Sequence, residues 1–149
     1  MAFSIIAFVY YHTIGYFGIN TSTCIKGQYF YIDRLDKKIR DGDYVAIRFK
    51  GSYLYPKNTV FIKIVGCTQG ERLVSRQTSK GYGYFCGNRL LGYACNPLYN
   101  PSCPKHVTYN EIIPKGYFYA LGTSWNAYDS RYWGLASTQS IIGKGFEIW

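Results

Sequence analysis

The sequence predicts a mainly β protein, a barrel or sandwich of short antiparallel strands with a loop-rich, cysteine-containing insert. Aromatic residues make up 19% of the 149 residues and include 17 tyrosines, a residue type that favours strands. Several short segments alternate between two faces, as half-buried strands do. Sixteen glycines are spread along the chain, as many short turns require. With 48% hydrophobic residues, the chain is long enough to fold as one domain with a real core.

Five segments are predicted to be strands. In chain order they are Gln28–Arg34, Asp43–Phe49, Thr59–Val65, Gly116–Gly122 and Gly143–Trp149. The third strand places alternate side chains on opposite faces, with Val60, Ile62 and Ile64 on one and Phe61, Lys63 and Val65 on the other. A turn that ends at Asp41-Gly42 joins the first two strands. Helical turns are predicted at Leu35–Arg40 or Gln139–Ile142.

Residues 1–19 are strongly apolar and are predicted to be a segment of their own. The run AFSIIAFVYYHTIGYFGI is about the minimum length that spans a bilayer. However, His12 and Thr13 interrupt it, and no Lys or Arg precedes it. The segment is therefore a membrane anchor or interfacial segment, or else a buried N-terminal strand. We expect the anchor or interfacial segment, followed by a folded domain over residues 20–149.

Residues 82–106 break the strand pattern and are predicted to form the insert. They are rich in Gly, Asn, Pro and Cys and show no sustained alternation, which is typical of a long loop or a small insert. The alternative is a plain linker, but the cysteines favour an ordered insert. Because the chain has two histidines and no C-x-x-C spacing, neither a metal site nor any other cofactor is predicted.

The chain contains an odd number of cysteines, so at least one lies outside any intramolecular disulfide. The five are Cys24, Cys67, Cys86, Cys95 and Cys103. If Cys24 is a free thiol, the other four allow three pairings. Cys95 and Cys103 enclose a short proline-containing loop, which makes a local bridge easy, and Cys67 with Cys86 would complete the set. An oxidising compartment would permit both bridges.

The formal net charge of +9 admits three interpretations. It can attract anionic lipid head groups, bind nucleic acid, or belong to an ordinary basic surface. The basic residues form no stripe, since Lys37, Lys38 and Arg40 alternate with acids, and no helix-turn-helix or RNA-reading motif is present. We therefore expect no nucleic-acid partner.

Four short motifs follow one another in order along the chain. They are INTSTCIKGQY (Ile19–Tyr29), IRDGDYV (Ile39–Val45), FIKIVGCTQGE (Phe61–Glu71) and AYDSRYWG (Ala127–Gly134), the last followed by IIGKG (Ile141–Gly145). Together they resemble the conserved boxes of type I signal peptidases, especially the conjugative-transfer branch of TraF-type pilin-processing peptidases. The resemblance implies a signal-peptidase-like β core and a Ser/Lys catalytic dyad. It also implies an inner-membrane-associated endopeptidase whose catalytic domain faces the periplasm.

The chain departs from the family pattern at three positions. The nucleophile box of the family reads roughly N-x-T/S-x-S-L/I-P-G-x-Y, and Cys24 stands where its serine belongs. Lys26 replaces the proline, and Ala127 stands where the last box carries a serine. Either the chain is a natural or engineered cysteine version of the dyad, or catalysis has been lost. Thr23 is a rival nucleophile only if the box slips by one residue, which would break the remaining matches.

The resemblance assigns Cys24 and Lys63 to catalysis. A lysine acts as a base near neutral pH only if burial lowers its pKa, and the apolar neighbours of Lys63 favour burial. Taken without the motifs, Lys63 is better interpreted as an edge-strand lysine that reaches solvent, because exposed lysines are commoner than buried ones. A cysteine thiol ordinarily titrates near ~8.5, so a thiolate–ammonium pair can form in advance. The alternative for Cys24 is a buried, inert cysteine.

The remaining site residues follow from the same resemblance. Ser22 and the backbone N–H of Cys24 take the positions of the oxyanion-hole donors, although Ser22 is equally suited to bonding its own turn. Asp129, Ser130 and Arg131 are expected to support the site, with the carboxylate and the guanidinium paired. Ala127 lacks the hydroxyl that would orient the lysine amine, which should weaken activity.

Three functions fit these observations. The first is a membrane-associated endopeptidase that processes signal-bearing or pilin precursors. The precursor would bind extended along a strand edge, as an added strand, with small side chains before the scissile bond. The second is an impaired or inactive relative that binds precursor or conjugation proteins without cleaving them. The third is a secreted disulfide-rich binding module, which leaves the four ordered motifs unexplained. The partners implied are a precursor protein and the membrane surface, and the sequence sets no oligomeric state.

Overall fold

The protein folds into two antiparallel sheets with little helix, as a computed structural model describes it for residues 2–149, with side chains from residue 4 onward. The strands are β1 Gly15–Ile19, β2 Tyr29–Asp33, β3 Tyr44–Arg48, β4 Val60–Cys67, β5 Arg72–Thr78, β6 Gly81–Cys86, β7 Arg89–Tyr93, β8 Asn110–Ile112, β9 Tyr117–Leu121, β10 Ala136–Ser137 and β11 Ile141–Glu147. The helices are α1 Ala2–Thr13 and α2 Ser130–Trp133, and Thr138–Ser140 form a 3-10 turn.

The larger sheet has seven strands in the order β1-β2-β11-β3-β4-β9-β10, and the smaller has four in the order β7-β6-β5-β8. Neither sheet closes into a barrel within residues 2–149. The predicted mainly β class of short antiparallel strands is thus confirmed. All five predicted strands are present, with ends that differ by one or two residues. The helical turn predicted near Gln139 is the 3-10 turn, whereas Leu35–Arg40 is irregular.

Apolar side chains cover both faces of the larger sheet around β4. One face carries a cluster that contains Val45, Ile47 and Val65. The other face buries Ile25 and Phe30, with Ile62 and Ile64 packed against them. The alternation predicted for β4 is therefore correct. Because β4 lies inside the sheet between β3 and β9, a polar side chain on it is held away from solvent.

The insert is partly ordered, as its cysteines predicted. Two strands, β6 and β7, occupy its first part and pair with each other in the smaller sheet, so the irregular stretch begins at Ala94. Glycines and half-buried aromatic residues hide the alternation in the sequence, because a strand in a small sheet needs no continuous apolar face.

Two disulfides link the parts of the molecule, and both pairings match the prediction. Cys67–Cys86 connects the end of β4 to the end of β6 and so ties the two sheets together. Cys95–Cys103 closes the irregular loop of the insert. Bridges of this kind contribute about 2–4 kcal/mol to the free energy of unfolding. Cys24 is the free thiol of the described chain.

The predicted N-terminal segment divides into α1 and β1, and its first residue lies outside the described residues. Helix α1 exposes a set of large apolar side chains, namely Ile5, Ile6, Phe8, Val9, Tyr10 and Tyr11. Strand β1 pairs with β2 along its whole length, so residues 15–19 belong to the larger sheet.

No helix within residues 2–149 is both long enough and apolar enough to cross a lipid bilayer.

Candidate active site

The loop between β1 and β2 places Cys24. Asn20 organises this loop, since its side-chain amide donates to the carbonyls of Ile25 and Gly27 at 3.3 and 3.0 Å. Its Oδ1 accepts from the backbone N–H and the hydroxyl of Ser22 at 3.1 and 2.8 Å. Gly27 has a φ of +92°, a conformation that favours glycine. The sequence therefore encodes a tight, internally bonded loop.

Two further contacts anchor the loop to the sheet. Ile25 inserts its side chain into the cluster around Phe30. The Cys24 carbonyl accepts from the backbone N–H groups of Thr123 and Ser124, just beyond β9, at 2.7 and 3.4 Å. The thiol-bearing residue is thus held from both sides, while its side chain remains partly accessible.

Strand β4 places Lys63, whose residue surface is 2% exposed. Its Nζ lies 5.1 Å from the centroid of the Phe61 ring. Within residues 2–149 the ammonium forms neither a salt bridge nor a hydrogen bond. Burial lowers the pKa of Lys63, the charge of Arg131 adds to this effect, and the negative charges of Cys24 and Asp129 oppose it. Of the two alternatives for this lysine, the buried one is observed.

Cys24 and Lys63 line one cavity of about 220 Å³, here called the nucleophile cavity. Ser22 lines it as well. Thr23 has an exposed side chain and is not part of the wall. One cavity wall thus carries two groups that nucleophilic attack can use, a thiol and a buried amine.

The two predicted oxyanion-hole donors lie close together, and both already donate hydrogen bonds within the loop. The backbone N–H of Cys24 donates to the Ser22 hydroxyl oxygen at 3.4 Å. The Ser22 hydroxyl donates to Asn20 at 2.8 Å. The turn role expected as the alternative for Ser22 is thus present. The 3.4 Å bond is long and weak, so a carbonyl oxygen that enters the cavity can replace it.

Asp129, Ser130 and Arg131 are all buried, and Asp129 and Arg131 both influence the pKa of Lys63. The Asp129 carboxylate accepts from Arg131 Nε at 2.8 Å and Nη2 at 2.7 Å. The Ser130 hydroxyl accepts from the backbone N–H of Ala120 in β9 at 2.9 Å. Burial alone would lower the pKa of Arg131, but hydrogen bonding to Asp129 and its charge outweigh this effect and raise it. The guanidinium of Arg131 therefore keeps its charge inside the fold.

Gly122 is a site residue that the motifs do not reveal. A Cβ on this glycine would overlap the Cβ of Ala127 and lie 2.8 Å from the Cys24 carbonyl oxygen and 3.4 Å from Asp129 Oδ2. Its backbone N–H also donates to Asp129 Oδ2 at 2.8 Å. The one available sequence signal is a glycine directly after the apolar strand β9. The packing of Ala127 against Gly122 explains why a small residue occupies position 127.

We expect Gly122→Ala to displace the Cys24 loop. The added methyl group meets a backbone carbonyl and a short side chain, neither of which can swing away. Overpacking of this kind costs about 1–3 kcal/mol. Urea unfolding should show that loss, and alkylation of Cys24 by iodoacetamide should change rate. Gly18→Ala is the matched control, because a Cβ there meets ordinary contacts of 3.7 Å or more. Equal stability of the two variants would contradict the close packing at Gly122.

A mainly β domain that seats a thiol and a buried amine in one cavity has the composition of a dyad hydrolase. Comparison with known proteins gives a more particular result. No family profile matches the chain. The chain is 41% identical over 39 residues to signal peptidase I of Buchnera aphidicola subsp. Acyrthosiphon pisum. The matched segment covers 26% of the chain and 12% of that protein. The chain is also 32% identical over 69 residues to signal peptidase I of Aquifex aeolicus. This second match covers 41% of the chain and 26% of that protein.

These matches span a minor part of each relative's length. They support the signal peptidase I family and, at the level of the family, a peptidase function.

Proposed function

We propose that the chain is an endopeptidase of the signal peptidase I type that uses Cys24 and Lys63 as its dyad. The observation that carries the proposal is the burial of Lys63 in the wall of the cavity that Cys24 also lines. A surface lysine would stay protonated at neutral pH. Burial disfavours the ammonium form, so this amine can exchange a proton with the thiol.

The proposed reaction begins with transfer of the Cys24 proton to Nζ of Lys63. The thiolate sulfur attacks the scissile carbonyl carbon, and the resulting oxyanion binds to the N–H of Cys24 and the hydroxyl of Ser22. As the C–N bond breaks, the Lys63 ammonium returns the proton to the leaving amine. Water, deprotonated by Lys63, then attacks the thioester carbon, and the proton taken up by Lys63 passes to the leaving sulfur. The products are the restored thiol and a carboxylic acid, which releases its proton to bulk water and becomes a carboxylate.

The substrate in this proposal is a signal-bearing or pilin precursor of a conjugative-transfer system, as for the TraF-type branch. The nucleophile box and the D-S-R box support this branch. The exposed apolar side chains of α1 and the net charge of +9 support attachment to an anionic membrane surface. The catalytic domain would then work on the periplasmic side, where the two disulfides are stable.

The competing proposal is a relative that binds precursors without cleaving them. Two observations favour it: the Ser22 hydroxyl donates to Asn20 rather than into the cavity, and Ala127 lacks a hydroxyl. Both proposals predict binding of the same precursor polypeptide. They differ in whether the thiol turns over.

Cleavage of a pre-pilin by the chain and by its Cys24→Ser and Cys24→Ala variants separates the two proposals. We expect the chain and the serine variant to cut at one site, and the alanine variant to leave the precursor intact. Thr23→Val should cut as well as the unchanged chain, because Thr23 lies outside the cavity wall. If the chain and its serine variant both bind the precursor but leave it whole, the peptidase proposal is wrong.

A further inference from the structure

Three cavities lie in a row from Cys24 to the insert. Beyond the nucleophile cavity comes a middle cavity of about 290 Å³, and Tyr55 and Tyr128 line both. An insert cavity of about 590 Å³ follows, and it shares Cys95, Asn100 and Trp125 with the middle cavity. These three adjoining cavities, which share wall residues, are here called the groove. An extended polypeptide can occupy all three, whereas a compact small molecule fills one.

Aromatic rings line this groove from one end towards the other. The ring centroids of Phe61 and Tyr55 lie 5.1 Å apart, those of Tyr55 and Tyr128 5.5 Å, and those of Tyr128 and Tyr132 6.0 Å. At the far end, the Tyr132 hydroxyl accepts from the backbone N–H of Cys95 at 2.9 Å. Adjoining aromatic rings therefore line the groove, and the last of them, Tyr132, is hydrogen-bonded to the insert.

The insert cavity is shaped for an apolar group. The Cys95–Cys103 disulfide fixes one of its walls, and Tyr99 and Trp125 stand largely exposed at its edge. Arg131 also lines the cavity, but its guanidinium is paired with the Asp129 carboxylate at 2.7 Å. The cavity thus presents aromatic and aliphatic surface without an unpaired charge, which suits an apolar ligand better than an anion.

The insert cavity is rigidly connected to the nucleophile. Its wall includes Thr123 and Ser124, whose backbone N–H groups hold the Cys24 carbonyl. A ligand seated in the insert cavity is therefore positioned with respect to the thiol through a single peptide segment.

We infer that the insert cavity binds a bulky apolar side chain, aromatic or branched, of the polypeptide substrate, at a fixed distance from the scissile bond. The inference rests on the proposed function, which supplies the polypeptide. The nucleophile cavity has less than half the volume and accepts small side chains. The substrate class is accordingly a precursor with small residues at the cut and one large apolar residue farther along the chain.

A scan of synthetic peptides tests the inference. The probes are Ala/Ser peptides of about twelve residues, identical except that a single Phe is moved from one position to the next. Binding is measured on the Cys24→Ala variant, which cannot form an acyl enzyme. One Phe position should bind about tenfold more tightly than the Phe-free parent. Cleavage by the unchanged chain should be fastest for the same peptide.

Trp125→Ala should abolish that preference, and Trp149→Ala should retain it. Both tryptophans are exposed, at 69% and 82%, but Trp149 lies outside the insert cavity. Cleavage without dependence on the Phe position would overturn the inference and leave the peptidase proposal intact. If the peptides bind with a preference for one Phe position but none is cleaved, the peptidase proposal is wrong and the inferred binding site stands. Equal binding of every peptide, in the presence or absence of Trp125, would also refute the inference.

Discussion

Replacing Lys63 by Met should reduce cleavage about a thousandfold, the range lost when a general acid–base group is removed. Methionine is unbranched and apolar, so it fits the buried position of the lysine chain. The variant should therefore remain folded. Lys80→Met is the matched control, because Lys80 is exposed in the turn between β5 and β6, and it should cleave at the unchanged rate. Equal loss in both variants, or in neither, would contradict the role of Lys63.

Thiol alkylation gives a readout of the same pair without substrate. Cys24 is the free thiol of the described chain, so iodoacetamide labels a defined site. The thiolate is the form that iodoacetamide alkylates, and in the proposed dyad Lys63 accepts the proton of the thiol. Labelling of the Lys63→Met variant near pH 7 should therefore be slower than that of the unchanged chain. The same labelling rate in both would indicate that the amine and the thiol do not interact.

The lowered pKa of Lys63 also determines how stability varies with pH. In the unfolded chain the amine keeps its ordinary pKa of 10.5. Between the lowered folded value and that ordinary value, the unfolded chain binds more protons than the folded chain. The free energy of unfolding therefore rises with pH in this window. The Lys63→Met variant should lack that rise and be at least as stable as the unchanged chain at pH 7.

Local patterns in the sequence are sufficient to predict the elements that carry the dyad. The apolar run around Lys63 predicts a strand, and its alternation places the lysine beside Phe61 and Val65. The Cys95–Cys103 disulfide could be predicted because its cysteines are only eight residues apart in the sequence. With Cys24 free, Cys67–Cys86 is then the remaining pair. The smaller sheet was missed, since β6 combines glycines with aromatic residues and its neighbour β5 exposes arginines on the open face.

The contacts that assemble the site could not be predicted in the same way. The Cys24 carbonyl meets the N–H of Thr123, and these residues lie far apart in the sequence. Backbone groups carry no residue identity, so no pattern marks them. Only tertiary contacts mark Gly122 as a site residue, because Ala127 and the Cys24 carbonyl pack around the position that its Cβ would take.

Arg131→Met should lower the free energy of unfolding by about 3–5 kcal/mol, the usual cost of leaving one partner of a buried ion pair alone. The side chains of Arg131 and Asp129 are 3% and 0% exposed, so water cannot replace the lost guanidinium. The carboxylate would keep the N–H groups of Gly122 and residue 131 as donors. The substitution also removes donors to the carbonyls of Tyr93, Ser124 and Ala127. Urea unfolding measures the loss.

Arg89→Met is the control for this prediction, because Arg89 pairs with Asp41 at the surface, where the side chains are 50% and 29% exposed. Solvent screening limits such a pair to about 0–1 kcal/mol. The double variant Asp129→Asn/Arg131→Met should recover part of the stability, since it leaves no uncompensated charge. If Arg131→Met costs no more than Arg89→Met, the buried pair does not hold the fold. The Asp129–Arg131 pair would then result from the packing of its neighbours and would not stabilise that packing.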